Sequence, residues 1–210
     1  LVIAQVTAVL KALLESKLSK HASAAGAGEA SVSLLPPDRV SADERSQLNL
    51  FLYRVAPHSR YGNERVNERV PNGSNGRPSP QTLPSIALDL YYLISAYGSQ
   101  DFHTEILLGY AVQALNETPL LKRANFESAL APGKFQHPSW GALSQAASPL
   151  AESAELRITP QFLSMEDTGK LWSSLQARYR PSVAYEVSAV VIDATADAVS
   201  EPSQALIKHD

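Results

Sequence analysis

Residues 164–193 read SMEDTGKLWSSLQARYRPSVAYEVSAVVID. Ser164 is placed to cap a helix, with Asp167 three residues later as its reciprocal partner. Leu171, Trp172, Leu175 and Tyr179 fall on one helical stripe. Pro181 stops the helix and pushes Arg180 towards extended backbone. From Val183 the period changes to two. Val183, Tyr185, Val187, Ala189 and Val191 then face one way, and Ala184, Glu186, Ser188, Val190 and Ile192 the other. Over Val190–Ile192 both faces are apolar, which predicts an interior strand covered on both sides. A helix that feeds such a strand requires a sheet to receive it.

Working outward, residues 84–97 (PSIALDLYYLISAY) read as a long strand, with Ile86, Leu88, Leu90, Tyr92 and Ile94 on one face. Residues 47–55 (QLNLFLYRV) alternate in the same way: Leu48, Leu50 and Leu52 share a face, and Phe51, Tyr53 and Val55 lie with Asn49 on the other. The two segments are expected to pair antiparallel. Between them runs a polar stretch, Ala56–Leu83, well beyond the roughly 12–15 residues usual for a structureless connection. Within it Arg60, Arg65, Arg69 and Arg77 outnumber Glu64 and Glu68.

The remaining elements follow from periodicity. Val2, Val6, Val9, Leu10, Leu13 and Leu14 predict an amphipathic helix to about Lys20. Ser31–Leu35 reads as a short strand stopped by Pro36 and Pro37. Asp101 is placed to cap a helix containing Leu107, Ala111, Ala114 and Leu115 and ending at Pro119. Leu120–Leu130 predicts a shorter helix, Ala131–Ala154 a loop, and Glu155–Thr159 a strand. The expectation is a mixed α/β (α+β) single domain over residues 1–196, with a four- to five-stranded mixed sheet, flanking helices and a polar tail at 197–210. A few residues are expected before Leu1.

Composition narrows the function. The 210 residues are 44% hydrophobic and 19% charged, with a net charge of −3 and no cysteine. An acidic balance argues against a general nucleic-acid binder. The lack of cysteine removes disulfides, thiol catalysis and thiolate metal sites. No apolar run approaches the ~20 residues of a membrane-spanning helix, so no direct membrane insertion is expected.

Chemistry-bearing motifs are missing. There is no GxSxG elbow, no phosphate-binding GxxxxGK[ST] and no GxGxxG. His21, His58, His103, His137 and His209 are scattered, without the i, i+4 partner of a helical metal site, and read as surface or loop residues. Glu166 and Asp167 sit where carboxylates favour a helix N-terminus. Trp172 reads as core. Tyr91 and Tyr97 share a face with Asp89 and Ser95, to be covered by a helix or by a partner chain. No catalytic, cofactor-binding or metal residues are assigned, and no cofactor is expected.

The succession NLFLYRVAPH (49–58), IALDLYYL (86–93), ILLGYAVQALNETPLL (106–121) and the run from Leu156 to Asp193 resembles the tail-terminator, or cap, family of contractile injection systems. These are phage-tail-like particles with an inner tube inside a contractile sheath. The most specific text is LW-x-x-L-x-x-R-Y-x-P-S-x-x-Y-x-V from Leu171 to Val187. The resemblance implies a non-enzymatic structural protein that closes into a hexameric ring. Its partners would be other copies of itself and the sheath and tube proteins. It would end both polymers at the end distal to the baseplate, within a particle assembled in the cytoplasm. It also implies that the ring could accept or block the last sheath strand by adding it to its own sheet. Arg60, Arg65, Arg69 and Arg77 are the candidate contacts to neighbouring subunits, sheath or tube. A baseplate or spike adaptor of the same particle is one alternative. A small hydrolase with the polar stretch as a lid is the other.

Overall fold

A computed structural model of the chain describes residues 1–21, 30–40, 46–59, 85–131 and 155–193. Its elements in chain order are α1 (Val2–His21), β1 (Ser31–Ser33), a 3-10 turn (Pro37–Arg39), β2 (Gln47–Pro57), β3 (Ser85–Tyr97), α2 (His103–Glu117), β4 (Leu120–Leu121), α3 (Arg123–Ala129), β5 (Leu156–Gln161), α4 (Met165–Ser174) and β6 (Ser182–Asp193). The strands form one sheet in the order β1-β2-β3-β6-β5-β4. All pairings are antiparallel except β1 with β2. The fold is a mixed α/β arrangement.

Among the described residues the sheet has six strands, not four or five. The added strand is Leu120–Leu121, which the sequence places in a helix. Two residues are too few to show a period of two, and Pro119 and Lys122 break any helical continuation into α3. Pro119 O accepts from Ile158 N (2.8 Å), which extends the β4–β5 contact by one bond.

One face of the sheet makes the main core. Leu48, Leu50, Leu90, Tyr92, Ile94, Tyr185, Val187 and Val190 meet Val6, Val9, Leu10 and Leu14 of α1, Leu107 and Leu115 of α2, and Phe126 of α3. Each is withdrawn from water, and fully burying such a side chain is worth roughly 1.5–3 kcal/mol. Tyr92 ties the sheet to α1 by a hydrogen bond as well. Thr7 donates its hydroxyl to Ile3 O (3.1 Å), so the Tyr92 hydroxyl donates to Thr7 Oγ1 (2.9 Å).

Two bulges reset the alternation. In β2, Leu52 pairs with Tyr92 but Arg54 pairs with Tyr91, so β2 carries one extra residue at Tyr53. Beyond it Val55 is paired with Leu90 and has changed face. In β6, Val187 pairs with Leu90 and Val190 with Leu88, so Ser188 and Ala189 together oppose Asp89. This is why Val187 and Val190, three apart, both reach the core, whereas strict alternation puts them on opposite faces. Ala189 takes a φ of 61° at the bulge. β6 is interior, between β3 and β5, as expected.

α4 starts as expected and ends early. Ser164 is its N-cap and accepts from Asp167 N (3.0 Å). The Asp167 carboxylate turns to the Ser164 hydroxyl (2.7 Å). The helix stops at Ser174, well short of Pro181. Gln176 adopts a φ of 52°, Gln176 N bonds Ser173 O, and Ala177 N bonds Trp172 O. That is a Schellman closure with glutamine where glycine is usual. Tyr179 therefore leaves the helical stripe and is exposed, although its ring meets Trp172 edge-on at 5.9 Å. Gln176→Gly is expected to raise the unfolding free energy by about 1 kcal/mol, because it removes the left-handed penalty. Urea titration of the two proteins checks this.

α2 departs from the expected cap. Phe102, not Asp101, holds the N-cap position, at a φ of 66° and with no side-chain cap bond. The turn is held instead by His103, whose Nδ1 lies 2.7 Å from Ser46 Oγ, and by Ser99 Oγ at 3.2 Å from the same hydroxyl. His103 is buried rather than a surface residue.

Candidate assembly surfaces

The two edge strands are short. β1 covers only Gln47–Asn49 of β2. β4 covers only Leu156 and Arg157 of β5. Beyond Ile158, the next amide position of β5 facing outward belongs to Pro160, which has no N–H to offer. A proline at that point prevents another strand from continuing the ladder. On the other side, Leu50–Pro57 of β2 has no strand partner on its outer edge among the described residues.

The far end of β2 carries a polar and aromatic group on the face opposite the main core. The Arg54 guanidinium lies 5.0 Å from the Tyr91 ring centroid, and Tyr53 tilts against the same ring at 6.3 Å. Glu186 accepts from Gln161 Nε2 (2.7 Å). Burial raises the Glu186 pKa, the Asp89 carboxylate adds to this, and the Tyr91 hydroxyl and His58 oppose it. Burial also raises the Tyr91 phenol, helped by Glu186 and Asp89.

The sign of the Glu186 shift gives a prediction. A carboxyl whose pKa is higher folded than unfolded binds its proton more tightly in the native state. Its contribution is fully present below the unfolded value and is lost as pH rises from about 4.5 through the raised value. Glu186→Gln should therefore gain stability relative to wild type at pH 7 and lose that gain by pH 4. Urea midpoints at the two pH values check it.

Asp89 latches three strands together. Its Oδ1 lies 2.7 Å from His58 Nδ1 and accepts Ala189 N–H at 3.1 Å. His58 N also bonds Ala87 O (2.9 Å). The latch pins the end of β2, the middle of β3 and the bulge of β6 at one point. His58 thus follows directly on β2, outside the strand, and is held to the sheet by these two bonds.

The exposed apolar groups gather elsewhere. Phe162 and Met165 are 92% and 82% exposed, on the turn from β5 into α4. Phe162 lines a groove of about 350 Å³ together with Leu93, Pro160, Leu163, Ala184 and Tyr185, among others. Phe102 projects at 75% exposure from its left-handed turn. Trp172 is buried, outside the main core cluster. Tyr97, Ser95 and Asp89 are buried within the chain itself, so no partner is needed to cover that part of the face.

Arg60, Arg65, Arg69 and Arg77 lie outside the described residues, as do His137, His209 and the tail at 197–210. Sequence reasoning missed the Arg54–Tyr91 pair, the Asp89 latch and the Phe162–Met165 turn. The signals were present. Asp89 is a lone acid in an apolar strand, and Phe162 and Met165 flank a capping serine. Among the described residues no group of three or more His, Asp or Glu side chains could hold a metal ion. No helix among them is long and apolar enough to cross a membrane.

The family model for the Pvc16 N-terminal domain matches residues 5–205. The chain belongs to the Pvc16 N-terminal domain family. A solved structure, the sheath/tube terminator of the PVC extracellular contractile injection system in its extended state, matches 99% of this chain and 64% of that one. The TM-score is 0.54 and the identity 15%. The chain thus spans just under two thirds of that terminator. The tube-terminating cap of the anti-feeding prophage matches 83% of this chain and 55% of that one, at 15% identity and a TM-score of 0.46. Comparison with curated proteins finds no match.

Proposed function

We propose that this chain is the sheath and tube terminator of an extracellular contractile injection system. It closes into a hexameric ring on the blunt end of the particle, distal to the baseplate, and acts without catalysis. Membership of the Pvc16 N-terminal domain family across residues 5–205 is the observation that carries the reading. The fold shared with a solved terminator agrees with it.

The sheet edges suit an end piece. Tube and sheath are open helical assemblies, and a terminator must match the last layer while offering nothing that continues it. Short β1, two-residue β4 and Pro160 limit pairing at the edges, while Leu50–Pro57 keeps a length of edge that a sheath strand could join. Arg60, Arg65, Arg69 and Arg77 are assigned to contacts with neighbouring subunits or the last layer. Deleting Asn63–Ser79 should then give particles without caps or of uneven length, and normal capped particles would refute that assignment.

The function itself is tested by assembling particles without this chain. Tubes and sheaths of uncontrolled length are expected by electron microscopy. A normal length distribution would contradict a terminating role.

A further inference from the structure

Three small polar side chains stand in a row across the middle of the sheet, on the face opposite the main core. Asn49 of β2 is registered with Ser95 of β3, and Ser95 with Ser182 of β6. The next row on that face is apolar: Phe51, Leu93 and Ala184. On the other side stands Tyr97, two residues along β3, with the Arg180 guanidinium 5.3 Å from its ring centroid. A row of short side chains thus stands between an apolar row and a tyrosine.

The polar atoms of this group are buried. Asn49 and Ser95 are 0% exposed and Tyr97 is 3% exposed. Asn49 Oδ1, Ser95 Oγ and the Tyr97 hydroxyl make no hydrogen bond of full geometry, although the Ser95 hydroxyl lies close enough to the Tyr97 phenol to offset part of the rise that burial gives its pKa. The Asn49 amide cannot turn over to relieve this. Its Nδ2 donates to Leu35 O (2.7 Å) and points to Ser33 O (3.4 Å), and a flip would set its oxygen against both carbonyls. Oδ1 is thereby fixed inward as an acceptor that needs a donor. An unpaired buried polar atom costs roughly 1–3 kcal/mol, so three on one face call for a common partner.

We infer that the Asn49–Ser95–Tyr97 group is a binding site for an internal water. Water fits the chemistry because it both donates and accepts. One proton goes to Asn49 Oδ1, the second to one of the two hydroxyls, and the other hydroxyl donates to the water oxygen. Buried waters with about three such bonds are a regular part of folded proteins. The water would fasten β2 to β3 at the point where β1 ends and where β6 begins. The inference is independent of the terminator reading.

A crystal structure of the chain that resolves single waters, together with oxygen-17 relaxation dispersion in solution, tests it. A peak within about 3.2 Å of Asn49 Oδ1 and of at least one of the two hydroxyls is expected. Ser95→Val fills the site, so the dispersion amplitude should fall by one long-lived water. Tyr97→Phe keeps the ring and removes one bond, and the peak should shift or lose occupancy. A dry site with Asn49 Oδ1 bonded directly to Ser95 or Tyr97 would overturn the inference. So would a dispersion amplitude unchanged by Ser95→Val, or, if that variant does not fold, a peak unaltered in Tyr97→Phe.

Discussion

Tyr92→Ala is expected to lower the unfolding free energy by about 4 kcal/mol, and Tyr92→Phe by about 1 kcal/mol. Tyr92 is fully buried between β3 and α1, and burial pushes its phenol pKa upward. Removing the ring empties a site lined by helix and sheet, where a large-to-alanine change costs roughly 3–5 kcal/mol. Removing the hydroxyl alone loses only the bond to Thr7. The ratio between the two variants separates packing from hydrogen bonding. At about 2–4 °C per kcal/mol for a chain of this size, the alanine variant should melt about 10 °C lower. Equal losses in the two variants would mean that the Thr7 bond, and not the ring, holds α1 to the sheet.

Asp89→Ala is the second large effect, with an expected loss of about 3 kcal/mol. The substitution leaves the Ala189 N–H without its acceptor at the bulge and removes the carboxylate contact of the His58 ring. Asp89→Asn should lose less, because an amide oxygen can still accept from Ala189. Hydrogen exchange at Ala189 gives a local readout. Its amide should exchange faster in Asp89→Ala, whereas the amide of Ile94 in the main core, which faces Val183 of β6, should keep most of its protection. Unchanged protection at Ala189 would show that the bulge stands without the carboxylate.

These two residues also show what the sequence does and does not disclose. Tyr92 was legible, because Ile86 to Ile94 alternate without interruption and place it with Leu90 on the core face. The antiparallel hairpin of β2 and β3 and the helix α1 were legible for the same reason. Asp89 as a latch was not, because its role depends on an extra residue in a different strand, 100 positions away. A bulge leaves only a slip of phase. Leu52 to Val55 and Val187 to Val190 are each three apart, and that spacing is the trace. The left-handed residues among those described, Phe102, Gln176 and Ala189, are not glycines, so the usual marker of a turn is missing from each. The end of α4 was hidden for that reason, since Tyr179 keeps the helical spacing while Gln176 has already broken the helix.

The assembly surface was legible in part. The resemblance carried by Leu171–Val187 pointed to a terminator, and the family match agrees with it. The edge devices were harder to see. Pro160 blunts a strand only because its nitrogen faces outward, and β4 is too short to announce itself. Which side chains meet a partner depends on symmetry, which one chain does not encode in any single motif.

Imaging the ends of intact particles that carry a labelled copy of this chain tests the central claim most directly. The expected result is six copies in one closed ring at the blunt end, capping both tube and sheath. Label at the baseplate end, or a single copy with no ring, would contradict it.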